Sequence, residues 1–129
     1  MPDLSEKISA NVLEAQVFSR KHLVLELDFS LGSLEELETH IDTVEYAIPG
    51  GKSADNVARL TRIWGTYLGE CLRRSAGGDW VDEASDDNEG IALRVHGQTV
   101  FPLERVRQRL LEGEAFNLVS FFKEHQAAP

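Results

Sequence analysis

From about residue 53 to residue 75 the apolar residues return at helical spacing. Val57, Leu60, Trp64, Leu68 and Cys71 fall on one face, and Ile63, Tyr67 and Leu72 widen it. The pattern predicts a long amphipathic helix whose wide apolar face the rest of the chain has to cover. Arg73 and Arg74 stand in its last turn, where cations suit the negative end of the helix dipole, and Gly77-Gly78 stops it. Gly65 and Gly69 share one flank inside it. Each costs about 1 kcal/mol relative to alanine in a helix interior, so close approach by another helix or the sheet is the expected compensation.

Two helices are expected ahead of it. The first covers residues 4 to about 25, with Ile8, Val12, Ala15, Val17, Phe18 and Leu23 in imperfect period. In its tail Leu23, Leu25, Leu27 and Phe29 alternate with Val24, Glu26 and Asp28, which also fits a short strand; helix is preferred because Leu and Glu favour it. The second helix starts at Ser33, which stands at capping-box spacing from Glu36, or at Ser30 with Phe29 stapled to Leu34. Its buried stripe is Leu34, Leu37, Ile41 and Val44, and Pro49-Gly50-Gly51 ends it.

After the long helix the character changes. Trp80-Val81, residues 91–95 and residues 99–101 read as three strands, the last two joined through His96-Gly97 as a hairpin. Pro102 opens a helix at about residues 103–111, Gly113 breaks it, and residues 115–125 form a last short helix. With no internal repeat and no linker, residues 1–129 are expected to make a single α+β domain, frayed at 1–4 and 125–129. Its expected layers are three N-terminal helices, a three-stranded antiparallel meander, and one or two C-terminal helices on the sheet.

Charge narrows the partners. Thirteen basic against 22 acidic residues leave a net charge of −9, which opposes binding to a phosphate backbone, so no nucleic-acid partner is expected. No stretch approaches the roughly 18 continuous apolar residues of a membrane span. Neither does a basic segment followed by an apolar run mark a secretory signal. The single Cys71 has no partner for an internal disulfide, and the expected location is the cytoplasm.

The motifs that suggest chemistry are weak. Gly50-Gly51-Lys52-Ser53 precedes a helix, but a phosphate-binding loop needs a glycine where Tyr46 stands and a buried strand before it, so a turn with a Ser53 cap is preferred. Asp82, Glu83, Asp86, Asp87 and Glu89 lack the ligand spacing of a calcium loop and read as a solvated connection. His22, His40, His96 and His125 lie far apart, and Cys71 lies on the core face of the long helix. No cofactor or metal site is expected. Glu70 stands at the favourable spacing for an ion pair with Arg74, and Trp80 reads as core.

Three segments and a fourth that follows them carry a resemblance. They are Leu27-Asp28-Phe29-Ser30 before a helix, Gly65-Thr66-Tyr67-Leu68-Gly69-Glu70 inside one, Gly77-Gly78-Asp79-Trp80 entering a strand, and Phe101-Pro102-Leu103. With the amphipathic C-terminus, they resemble a group of small bacterial proteins of unknown function over roughly residues 20–123. The resemblance implies a bacterial source and an α+β fold, and brings no activity, substrate or catalytic residue.

The remaining signal is a charge pattern. Between His22 and Lys52 there is no Lys or Arg, and Glu35, Glu38, Asp42 and Glu45 repeat the spacing of the buried stripe shifted by one residue. Like charges so spaced destabilise a helix, so the row is either offset by cations from elsewhere in the fold or presented to a basic partner. The leading expectation is therefore a non-enzymatic binding protein that recognises a basic protein through this helix. An immunity-type protein neutralising a basic toxin is one concrete form, by analogy with other small acidic bacterial proteins. The competing expectation is a small enzyme or ligand-binding domain, with Tyr67, Glu70 and Trp80 lining a pocket between the long helix and the sheet. A raised Glu70 pKa in a cleft favours that second reading, and a paired Glu70 disfavours it. A homodimer through an exposed apolar face is the third.

Overall fold

The computed structural model describes residues 3–82 and 90–127. Asp3 caps the first helix, α1 (Leu4–Leu23), by accepting the Glu6 N–H at 2.8 Å. The helix stops just ahead of the alternating Leu25–Leu27 segment because Val24 turns left-handed, with φ 56°, and its N–H returns to the Ser19 carbonyl. The segment that follows is neither helix nor strand, and it buries Leu25 and Leu27 all the same.

Of the two caps open for the second helix, Ser30 is the one used. Its hydroxyl accepts the Ser33 N–H at 3.1 Å and starts α2 (Leu31–His40). The stripe Leu34, Leu37, Ile41 and Val44 is wholly buried, but the helix is not continuous across it. A 3₁₀ turn, Ile41–Thr43, and a short α3 (Val44–Ala47) follow His40. The Thr43 hydroxyl donates to the His40 carbonyl at 2.6 Å, a local bond that competes with the helix ladder and accompanies the tightened turn.

The long helix, α4 (Ala54–Ala76), is capped by Ser53, and from Ile63 to Leu72 it is buried on every side. It packs against α1 on one flank, α5 (Pro102–Glu112) on another, and against α6 (Leu118–Gln126) and the sheet. The sheet is an antiparallel meander in the order β1 (Asp79–Asp82), β2 (Ile91–Val95), β3 (Gln98–Val100), with Trp80 opposite Leu93 and Leu93 opposite Val100. His96 and Gly97 both take positive φ, 52° and 77°, as a two-residue hairpin turn requires. A 3₁₀ turn, Glu114–Phe116, and an Asn117 cap separate α5 from α6, so the last expected helix begins later than its periodicity suggested. The described residues are thus α+β, with one continuous apolar core centred on α4. Of the acidic stretch at residues 82–90, only Asp82 and Gly90 are among the described residues.

Candidate functional site

The row Glu35, Glu38, Asp42 and Glu45 divides into two kinds of residue. Arg109 enters from α5 with only 2% of its side chain exposed, donates to Glu38 at 2.7 Å, and forks onto Asp42 at 3.2 and 3.1 Å. Glu38, 11% exposed, spends its other oxygen on the Leu118 N–H at 2.8 Å, the first residue of α6. Lys52 reaches the half-exposed Asp42 at 2.7 Å and the Leu110 carbonyl at 3.0 Å. Burial opposes the charge on Asp42, but the bonds from Lys52 and Arg109 outweigh it and hold its carboxyl below the usual range. Glu38 and Asp42 are thereby committed to joining α2, α5 and α6. The side chains of Glu35 and Glu45 are exposed and make no hydrogen bond or ion pair among the described residues.

Next to that row, on α3, Tyr46 is 89% exposed, the most exposed large hydrophobic residue described. Leu31, at the start of α2, is exposed as well.

Arg109 is the residue that sequence reasoning missed. Its signal is the stripe of α5, where Leu103, Val106 and Leu110 are buried and Arg109 falls among them on the same face. A lone arginine in a buried stripe needs carboxylates. The row on α2 supplies them.

Tyr67, Glu70 and Trp80 are not brought together as one pocket. Glu70 and Trp80 meet: the indole N–H donates to Glu70 at 3.0 Å, while Arg73 donates at 2.7 and 2.9 Å and Arg74 at 3.2 Å. The carboxylate is only 9% exposed, so the ion pair with Arg74 lies in the wall of the fold rather than free on its surface. Burial opposes its charge, yet the four hydrogen bonds win and hold its pKa at about 2. A carboxylate so fixed stays ionised and has no proton to give at neutral pH. Glu70, Arg73 and Trp80 border an open cleft of about 450 Å³ with the first turns of α1.

Tyr67 lies away from that cleft, fully buried. Its hydroxyl accepts the Phe29 N–H at 2.8 Å and shares a 2.5 Å hydrogen bond with the Ser33 hydroxyl. The bond from Phe29 serves a residue at φ 69°, a left-handed conformation costly for a phenylalanine. Burial raises the Tyr67 pKa, and burial pushes the Cys71 thiol up to about 12, so neither is a poised nucleophile. Among the described residues no group of three or more His, Cys, Asp or Glu gathers to hold a metal ion, and no helix is long and apolar enough to cross a membrane.

The segments that carried the resemblance converge on α4. Arg74 lies 3.5 Å over the Phe29 ring, which packs on Tyr67, and Glu70 holds Trp80. A Cβ on Gly65 would stand 2.5 Å from the Leu103 Cα, and one on Gly69 would strike the Trp80 ring and come within 2.8 Å of Pro102. These segments thus make packing contacts around one helix. No curated protein and no solved structure matches the chain. A family match covers residues 41–122, from the 3₁₀ turn after α2 into α6, and on that match the chain belongs to the family described as a domain of unknown function, DUF3806.

Proposed function

We infer that the protein is a non-enzymatic binding protein that recognises a basic partner through the outer face of α2 and α3. Arg109 and Lys52 pair with both Glu38 and Asp42, so the recognition surface reduces to Glu35, Glu45 and Tyr46, with the half-exposed Asp42 at its edge. The observation that carries this reading is Tyr46, 89% exposed beside an exposed Glu45. A rigid aromatic ring that the core does not use, set among carboxylates, is the combination that anchors interfaces, where aromatic residues supply affinity and charge supplies steering. The enzyme reading loses its candidate acid, because Glu70 is held ionised by three side chains.

The test is affinity capture from a lysate of the host organism, with three baits. They are the wild type, an E35Q/E45Q/Y46A variant, and an E112Q/E114Q variant that removes as many charges from another exposed segment. The expected outcome is a basic protein retained by the wild type and by E112Q/E114Q, lost from E35Q/E45Q/Y46A, and weakened by moderate salt. Equal retention by all three baits, or none by the wild type, overturns the reading.

A further inference from the structure

A second cleft, of about 460 Å³, opens between the first three turns of α4 and the last two turns of α5. The two helices run antiparallel here. Gly65 meets Leu103, and toward the start of α4 and the end of α5 Val57 and Thr61 on one side and Arg107 and Leu111 on the other line the cleft. Ala54, Val57, Ala58 and Leu111 make the walls apolar, and Leu111 remains half-exposed.

The charged residues lining this cleft are two cations, Lys52 and Arg107, each paired with one carboxylate outside the lining, Asp42 and Glu104. Lys52 uses two of its ammonium protons on Asp42 and the Leu110 carbonyl. Arg107 is half-exposed and has one N–H on Glu104 at 3.1 Å, which leaves the rest of its fork unengaged among the described residues. The N-terminus of the 23-residue α4 adds its partial positive charge.

Thr61 is the independent observation. It lines this cleft, is 4% exposed, and its hydroxyl has no hydrogen-bond partner among the described residues. Threonine inside a helix ordinarily returns its proton to the carbonyl four residues earlier. Thr66 does so to Arg62 at 2.7 Å and Thr39 does so to Glu35 at 2.9 Å. Thr61 does not. An unpaired buried hydroxyl is destabilising, and this one belongs to a residue that lines the same cleft as Arg107.

We propose that this cleft binds a small carboxylate with an apolar body. Arg107 and Thr61 take the carboxylate at one end, and the body lies along Ala54, Val57, Ala58 and Leu111 toward Lys52. A turn about the Cα–Cβ bond of Thr61 presents its hydroxyl to the ligand. The proposal is independent of the acidic recognition surface on α2 and α3, and neither depends on the other's outcome.

The probe is octanoate, followed by thermal shift and by amide NMR titration of the full chain, with 1-octanol and acetate at matched concentrations. Octanoate is expected to raise the Tm and to shift amides of α4 and α5 around the cleft, while octanol lacks the charge and acetate lacks the body. T61V should weaken octanoate binding about tenfold while its own Tm stays equal to or above the wild-type value, because the unpaired hydroxyl is gone. T61S should retain binding, and R107Q should lose it. A58F, which fills the cleft, should abolish binding in a protein with a wild-type circular dichroism spectrum. No response to octanoate, an equal response to octanol, or wild-type affinity in T61V overturns the proposal.

Discussion

Gly65 and Gly69 show how far a single missing side chain governs this fold. Each gives up about 1 kcal/mol of helix propensity. The return is contact: the Leu103 backbone sits where a Gly65 Cβ would lie, and the Trp80 ring and Pro102 close over Gly69. Overpacking of this kind costs about 1–3 kcal/mol, and a backbone atom at 2.5 Å has little room to yield. G65A is therefore expected to be less stable than wild type by about 1–2 kcal/mol in urea denaturation, despite its gain in propensity. G69A should lose stability too and also displace the Trp80 indole from Glu70, which tryptophan fluorescence reads. A higher midpoint for G65A would remove packing as the reason for the glycine. The glycine cost was legible in the sequence because it is local. That Leu103 and Trp80 are the neighbours was not, since it depends on how α5 and β1 return to α4.

The same division between local and distant holds for whole elements. Periodicity placed α4, the meander and α5 within a residue or two, because a wide apolar stripe, a two-residue turn and an N-terminal proline each act over a few positions. The break in the second helix was hidden, since neither glycine nor proline marks residues 41–43. The acidic row beside the stripe was legible as a pattern but not in its use. Glu38 and Arg109 lie 71 residues apart in the chain, and only the packing of α5 on α2 makes them partners. That pairing carries a prediction. R109M leaves Glu38 nearly buried without its cation, and removal of one partner from such a pair costs about 3–5 kcal/mol. The double variant E38M/R109M should recover much of that loss, because two apolar side chains replace two desolvated charges, though the Leu118 N–H loses its acceptor. Equilibrium unfolding of the two single variants and the double one gives the coupling directly. Additive losses would mean that the pair does not join the helices.

Across the whole molecule these ion pairs set the response to acid. Glu70, Asp42 and Glu14 all have carboxyl groups held below their ordinary range; burial opposes this in each case, and hydrogen bonds from arginines, with Trp80 or Lys52, outweigh it. A carboxylate with a depressed folded pKa contributes its full stabilisation above its unfolded pKa and loses it as the pH falls through the folded value. For Glu70 that window runs from an ordinary value of 4.5 down to about 2, and its share is on the order of 2–3 kcal/mol. A net charge of −9 acts the other way, because protonating exposed carboxylates relieves self-repulsion before the paired ones titrate. Stability is therefore expected to change little from pH 7 to about pH 5 and to fall steeply below the ordinary carboxylate range. E70Q separates the two effects. It should be less stable than wild type at pH 7, and its deficit should shrink between pH 4.5 and 2, as wild-type Glu70 takes up its proton. Parallel curves for the two proteins across that window would mean that the arginines and Trp80 do not depress the Glu70 pKa, and only a deficit that grows as the pH falls would show a raised pKa and return Glu70 as a candidate acid at the cleft it shares with α1.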